Sequence, residues 1–256
     1  MIKNKAVFDR LVAEALAQEF KGWDFSFIDD RWRMQPTTWD YPSRVMERFP
    51  AVSRLLDMDT GGGELLASLS PLPQHTYATE AYPPNIPVAR QRLEPLGVHV
   101  IAMPLDYQRI LHYPFEPGFF DMVINRHSGY SASEVHRLLK DGGWFITQQV
   151  GGQNNIRLNE LIQEKVEFEF SYWTLDYALQ EISHVGFQVL DAREEFPETV
   201  VTDIGAVVFQ LKVISWQIAG FSVERYYDKL VDIHNHIQEQ GQLVLHSHRF
   251  FIEAVK

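Results

Sequence analysis

Three sets of side chains in this sequence combine residue types that could bind a nucleotide-like ligand and move a proton. Glu80 could accept hydrogen bonds from two ribose hydroxyls, because its carboxylate offers two acceptor oxygens. His127 follows Asn125 and Arg126, and the ordinary histidine pKa of about 6.5 suits proton abstraction near neutral pH. The third set places acids beside a glycine turn that lets backbone approach a ligand closely: Asp57, Asp59, Thr60, Gly61, Gly62 and Gly63.

The glycine turn lies where a strand is expected to end and a helix to begin. Residues 52–56, which end in two leucines, predict a strand, and residues 63–69 predict the helix that follows the turn. Glu80 ends the next predicted strand, 19 residues after Gly61. Ligands of open α/β sheets bind at the carboxyl ends of the strands, so we expect the turn and Glu80 to face one binding site.

The glycine spacing disfavours two common phosphate-binding loops. The sequence has no GxxxxGK[ST] motif, and its glycines are contiguous, whereas the dinucleotide-binding pattern is GxGxxG. A compact turn of this kind suits a ligand without a pyrophosphate at that position.

Strands and helices alternate along most of the chain, and apolar runs between helices indicate parallel strands covered on both faces. The pair Gly142-Gly143 is expected to stop one helix before the next strand. Predicted strands cover residues 52–56, 75–79, 98–102, 119–124, 144–150, 187–192 and 249–255, and predicted helices cover residues 5–19, 63–69, 85–96, 131–139, 158–166, 174–184, 204–213 and 223–239.

Five segments together resemble class I S-adenosylmethionine (SAM) methyltransferases over most of residues 50–256. The turn is similar to the family's acid-x-Gly-x-Gly-x-Gly loop, except that Asp59 stands where the first glycine is usual. Residues 120–125 resemble its fourth strand, and residues 134–143 its E-x-x-R-x-L-K-x-G-G turn. The runs NRH (residues 125–127) and TQQVGG (residues 147–152) are similar to an uncharacterised bacterial group within that family.

The resemblance implies a Rossmann-like α/β fold with a seven-stranded, mostly parallel sheet, helices on both faces and an antiparallel last strand. It also implies SAM as cofactor, with Asp57, Asp59, Thr60 and the three glycines at its methionine part and Glu80 at its ribose. Asp106 would lie near the adenine amino group. Asn125, Arg126 and His127 would lie under the sulfonium and the methyl acceptor, with His127 as a possible general base.

Asp59 leaves two hypotheses open. Aspartate adopts the left-handed backbone region more readily than most residues, so the turn itself can form. Either the Asp59 side chain points away and SAM binds, which we expect, or the site is weakened and the chain is a degenerate SAM-binding module.

The chain divides into two expected regions. Residues 1–50 predict an N-terminal helix and an aromatic cap, and residues 51–256 a SAM-binding methyltransferase domain with C-terminal helical insertions. The cap aromatics could pack the N-terminal segment onto the main domain or line a substrate pocket. They are Trp23, Phe25, Phe27, Trp32, Trp39, Tyr41 and Phe49.

Composition narrows the expected partners. The 256 residues carry a formal charge of −11, which makes binding to bare nucleic acid unlikely, and no cysteine is present for a thiolate metal site or a disulfide. Residues 1–10 lack the apolar core of a signal peptide, and no run approaches a membrane span. We expect a cytoplasmic enzyme without a metal that methylates a small molecule. An rRNA or tRNA methyltransferase is the alternative, an NAD-type oxidoreductase is the weakest rival, and the oligomeric state is open.

Overall fold

The computed structural model describes residues 1–20, 23–103, 112–166 and 169–256. Strands in this part of the chain follow the predicted order, with additional short ones. They are β1 (Trp32–Met34), β2 (Arg54–Met58), β3 (His75–Glu80), β4 (His99–Ala102), β5 (Phe120–Arg126), β6 (Leu139–Val150), β7 (Gln188–Glu195), β8 (Glu198–Val201), β9 (Leu243–His246) and β10 (Arg249–Val255).

The helices flank these strands. They are α1 (Lys5–Ala17), α2 (Tyr41–Met46), α3 (Glu64–Ser68), α4 (Asn85–Leu93), α5 (Ala132–Leu138), α6 (Ile156–Ile162), α7 (Leu175–His184), α8 (Ile204–Val213) and α9 (Tyr227–Gln240). No helix in the described ranges is both long and apolar enough to cross a membrane.

A seven-stranded sheet forms the centre of the molecule, in the order β4-β3-β2-β5-β6-β10-β7. Neighbouring strands from β4 to β6 pair in parallel, whereas β10 is antiparallel to both β6 and β7. The predicted fold, including the antiparallel last strand, is therefore confirmed. The strand order reverses direction at β2 and β5, whose carboxyl ends open the crevice where ligands of such sheets bind.

Helices cover both faces of this sheet and bury separate cores. On one face, α5 and α7 pack over Val123, Phe145 and Ile252. On the other face, α2, α3 and α4 pack over Leu55 and Ile124. Because both faces are buried there, the central strands β2 and β5 are mostly apolar and buried.

A third core joins the N-terminal helix to the C-terminal insertions. Residues from α1, α6, α8 and α9 share this cluster, and Phe8 of α1 makes edge contacts with Tyr227 and His234. The Lys212 ammonium donates to the carbonyls of Ala15, Leu16 and Gln18, the acceptors that the end of α1 leaves unpaired. The N-terminal helix is thus attached to the insertions.

Three features differ from the sequence-based expectation. The segment expected to be an irregular aromatic cap contains the short helix α2 (Tyr41–Met46), which Pro42 helps to start. A second sheet, in the order β1-β8-β9, was not predicted because its strands have only three or four residues. The pair Gly142-Gly143 does not stop a helix: α5 ends at Leu138, and both glycines lie inside β6. Gly142 has φ +78°, so it bends the backbone at the start of this long strand.

Candidate active site

The glycine turn adopts the left-handed backbone that its residue types allow. Asp59, Gly61 and Gly63 have φ values of 55°, 65° and 80°. A Cβ at Gly63 would lie 2.7 Å from Leu93 of α4, so only glycine fits between the turn and this helix. Asp59 occupies the left-handed region as its residue type permits, and the turn forms with it in place.

The turn is held on both sides by hydrogen bonds. On the β3 side, the Thr60 amide donates to the Thr79 carbonyl over 2.8 Å, and the Asp59 amide donates to the Thr79 hydroxyl over 3.2 Å. On the α4 side, the Arg92 guanidinium donates to the Gly62 carbonyl and to the Glu64 carboxylate. The turn is therefore pre-formed, which reduces the entropy lost when a ligand binds to it.

The Asp59 side chain turns towards the loop after β5. Its Oδ2 accepts a hydrogen bond of 2.7 Å from the Ser128 hydroxyl. The carboxylate thus faces the residues that follow Asn125, Arg126 and His127, and it has a partner there.

Asp57, Asp59 and Glu80 lie within electrostatic reach of one another at the carboxyl ends of β2 and β3. Burial, reinforced by the charges of Asp59 and Glu80, raises the pKa of Asp57 to about 7. Burial also raises the pKa of Asp59 to about 6, with Glu80 acting in the same direction and the Ser128 hydrogen bond opposing it. Such a concentration of carboxylates favours a cationic ligand, whose charge would relieve their repulsion.

Glu80 is held at the carboxyl end of β3 by hydrogen bonds from the residues that follow it. It is 4% exposed, and its Oε1 accepts the Tyr82 amide over 2.7 Å. The Asn85 side-chain amide lies 3.5 Å from Oε2. These bonds fix the carboxylate while leaving acceptor capacity on both oxygens.

Asn125 is fully buried inside the sheet rather than exposed at its edge. Its Oδ1 accepts bonds from the Gln149 side-chain amide at 2.6 Å and from the Thr147 hydroxyl at 3.3 Å. Its Nδ2 lies 3.5 Å from the Met58 carbonyl at the start of the glycine turn. This network ties the ends of β2, β5 and β6 together.

His127 is held in one tautomer by two neighbours. The Trp39 indole can only donate, and its Nε1 donates to Gln148 Oε1 over 2.8 Å. The Gln148 Nε2 must therefore point at His127 Nε2, 3.0 Å away, which must accept. The neutral ring then carries its proton on Nδ1.

The surroundings also keep His127 neutral. The ring is exposed to solvent on one side, and protein atoms surround its other sides. This desolvation, together with the charges of Arg126 and Arg249, places the pKa of His127 well below its usual value. Its Nε2 is occupied by Gln148, so the free polar atom of the ring is a donor, Nδ1–H. A base role for His127, which stays a prediction, would require the Gln148 bond to break.

Arg126 is the exposed charged group at the end of β5. Desolvation lowers the pKa of Arg126, while the nearby Asp57 carboxylate and Tyr41 phenol act to raise it. It lies within electrostatic reach of Asp57 in the acidic turn and of His127.

The structure brings together the predicted residues of β2, β3 and β5, whereas Asp106 lies outside the described residues. Sequence reasoning did not assign site roles to several other residues. Gln148 lies within the TQQVGG run and Trp39 within the aromatic segment, so both carried a weak signal. Arg249 carried none, because only the sheet brings it to this edge.

Trp23 lies beside the glycine turn and contacts a second tryptophan, Trp216. A Cβ built on Gly61 would lie 3.7 Å from Cδ1 of Trp23, and the Trp23 ring is 6.0 Å from the Trp216 ring in an edge arrangement. Trp23 belongs to the N-terminal segment and Trp216 to the C-terminal insertions, and both are nearly half exposed. The N-terminal segment and the C-terminal insertions therefore meet at Trp23, which lies beside Gly61.

Comparison with known proteins agrees with this architecture. Residues 56–147 match the methyltransferase domain family. No curated protein matches the chain in sequence.

Solved structures with the same fold have low sequence identity to this chain. A Bacillus halodurans protein, provisionally described as a methyltransferase, is 16% identical, with a TM-score of 0.59 over 84% of this chain and 98% of its own. A Deinococcus radiodurans protein of unknown function is 12% identical, with a TM-score of 0.55 over 98% and 99%. A chain from the complex of the Haloferax volcanii Trm112 methyltransferase activator with its provisional methyltransferase is 17% identical, with a TM-score of 0.52 over 96% of each chain.

Two of these solved structures share their fold with 96% or more of this chain, so the similarity in fold includes residues outside 56–147. Residues 56–147 thus match the methyltransferase domain family, and the chain shares the fold of these solved structures.

Proposed function

We propose that this protein transfers the methyl group of SAM to a small-molecule acceptor at the carboxyl edge of its central sheet. The observation that carries the proposal is the convergence of Asp57, Asp59 and Glu80 around a pre-formed glycine turn. SAM carries an ammonium and a sulfonium group, and it also carries a ribose diol. An acidic, glycine-lined edge suits each of these groups.

The residues present fit the methionine and ribose parts of SAM. Asp57 and the backbone of Gly61 and Gly62 would hold the methionine part, where the raised pKa of Asp57 indicates a site that favours an added positive charge. Glu80 would bind the ribose hydroxyls through charge-assisted hydrogen bonds. Asp106, the residue expected near adenine, keeps that role as part of the proposal.

When bound, SAM supplies an activated methyl group, and the protein mainly has to align the acceptor with it. Asn125 would act as a positioning residue, because its buried network joins the ends of three strands. Trp23 and Trp216 would cover the site and exclude water from it. In this arrangement residues 1–50 and the C-terminal insertions of the domain at residues 51–256 together cover the site.

Isothermal titration calorimetry with SAM tests the proposal. Glu80→Gln keeps the shape of the side chain but removes its charge, so we expect the Kd for SAM to rise about ten- to a hundredfold, the value of a charge-assisted bond. Glu94→Gln removes the same charge from an exposed side chain paired with Arg90, and it should leave the Kd unchanged.

Three outcomes separate the alternatives. Absence of SAM binding to the wild-type protein would refute the proposal. SAM binding without turnover across acceptor panels would favour a degenerate binding module. Salt-sensitive binding and methylation of RNA would favour the RNA methyltransferase alternative.

A further inference from the structure

Two arginines from distant parts of the chain lie on one face of the sheet, at its ligand-binding edge. In β5, Arg126 is paired with Gln148 of β6, and in β10, Arg249 is paired with Val150 of β6. Gln148 and Val150 are two residues apart on the same strand, so their side chains share a face. Residues that are paired across neighbouring strands point to the same face of the sheet. The side chains of Arg126 and Arg249 therefore lie on that face, on either side of β6.

Most donors of these two arginines have no protein partner. Arg249 uses Nη1 for the Asn154 side chain at 2.7 Å and the His248 carbonyl at 2.9 Å. Its Nε is buried and has no hydrogen-bond partner. Within the described ranges, Arg126 makes no hydrogen bond or ion pair. Burying the Arg249 Nε without a partner is costly, which indicates that a ligand supplies its acceptor, and the exposed Arg126 guanidinium has its donors free for the same ligand.

The carboxylate that lies opposite Arg249 on the neighbouring strand has other hydrogen-bond partners. Glu195 of β7 is paired with Arg249 across the sheet, but its carboxylate accepts bonds from the Thr38 amide and hydroxyl. No ion pair in the described part of the chain neutralises Arg249 or Arg126. Two close positive charges thus persist in a protein whose formal charge is −11.

His127 adds a third hydrogen-bond donor on the same side of the site as Arg126 and Arg249. Its Nε2 accepts from Gln148, so Nδ1–H is the polar atom left for a ligand. This side of the site therefore offers two guanidinium groups and one imidazole N–H. It complements the acidic turn on the other side, where a cation is expected.

We propose that the methyl acceptor is a small carboxylic acid, whose carboxylate is bound by Arg126 and Arg249 and is converted to its methyl ester. This inference rests on the proposed methyl transfer from SAM. Planar guanidinium groups match carboxylate oxygens in geometry and charge.

The reaction balances without a base. One carboxylate oxygen attacks the methyl carbon, a carbon–oxygen bond forms, and the carbon–sulfur bond breaks with its electron pair remaining on sulfur. The products are a methyl ester and S-adenosylhomocysteine, and no proton is transferred. A carboxylate acceptor therefore agrees with a histidine whose accepting nitrogen is already occupied.

The test uses the full chain with SAM and a panel of monocarboxylates: acetate, hexanoate, phenylacetate and benzoate, each beside its carboxamide. Release of S-adenosylhomocysteine and formation of the methyl ester are followed by mass spectrometry. We expect turnover of one or more acids and none of the amides. Arg126→Gln and Arg249→Gln should raise the KM of the acid about ten- to a hundredfold, whereas the Kd for SAM stays within about twofold.

Two further variants separate binding from folding. Arg249→Lys keeps a charge and should recover part of the lost affinity, which a purely structural defect would not do. Arg157→Gln removes an exposed charge from α6, outside the site, and should not change the KM. Thermal melting of each variant shows whether it is folded.

The inference is overturned if amides react as well as acids, or if no acid is methylated by a protein that binds SAM. It is also overturned if Arg126→Gln weakens SAM binding as strongly as acid binding, because Arg126 would then hold the cofactor. Loss of SAM binding by the wild-type protein, by contrast, would refute the methyl transfer itself.

Discussion

The raised pKa of Asp57 makes a quantitative prediction about how SAM binding depends on pH. The groups that face Asp57 are Asp59, Glu80, Arg126 and Tyr41, and burial is the largest cause of the shift to about 7. A cationic ligand should bind the ionised carboxylate. The affinity for SAM should therefore rise as pH rises through about 7, and fall as the acid becomes protonated.

The magnitude follows from the ionised fraction. Between about pH 7 and about pH 5.5, the ionised fraction of a group with a pKa of about 7 falls about sixteenfold, or about 1.6 kcal/mol. Asp59, with a pKa of about 6, loses about a further fourfold over the same interval. The Kd for SAM should thus rise about sixtyfold if both ionised acids are needed, and about sixteenfold if only Asp57 is needed.

Isothermal titration calorimetry across this interval measures the slope directly. Asp57→Asn should bind SAM weakly and retain at most the fourfold dependence due to Asp59. A Kd that is constant from about pH 7 to about pH 5.5, or that falls on acidification, would refute the assignment of Asp57 to the cationic end of SAM.

The remaining predictions concern stability. The folded pKa of Asp57 lies above its unfolded value, so ionisation opposes folding and the ligand-free protein should lose stability as pH rises through about 7. At about pH 8, Asp57→Asn should therefore raise the melting temperature, and the gain in the free energy of unfolding should be at most about 4 kcal/mol. Gly63→Ala should lower the free energy of unfolding by about 1–3 kcal/mol and weaken SAM binding. Gly97 has a similar φ of +81° but open space around it, so Gly97→Ala measures the cost of the backbone strain alone. Chemical denaturation compares the two variants. Glu253→Gln should cost about 1.5–3 kcal/mol in the same measurement, because it removes the buried charge that pairs with the half-buried Arg44 and Arg48; a loss below about 1 kcal/mol would contradict this.

The order of elements in the main sheet could be predicted from the sequence because its signals are local. Apolar runs bounded by glycine, proline and charged residues define strands, and α8 and β10 have the predicted bounds. The small sheet could not be predicted. Its strands β1 and β8 pair residues as distant as Trp32 and Val201, and each is too short to show a period.

The half of the site that is proposed to bind SAM could also be predicted from the sequence, because its residues are close together along the chain. A turn with Asp59, Gly61 and Gly63 needs only local backbone preferences, and Glu80 follows at a spacing typical of this fold. The role of Asn125 was harder to read. An amide after a strand suggests an exposed ligand contact, but Thr147 and Gln149 bury it in a hydrogen-bond network.

What the sequence determined by itself is the sheet and the acidic glycine turn, since periodicity and turn chemistry act over a few residues. What only the tertiary structure decided is the opposite side of the site. Arg126 and Arg249 are far apart along the chain and become neighbours only because β10 inserts antiparallel beside β6. The tautomer of His127 likewise depends on Trp39, which the cap places against Gln148. Long-range strand pairing and packing, which no local pattern encodes, therefore set the chemistry proposed for the acceptor.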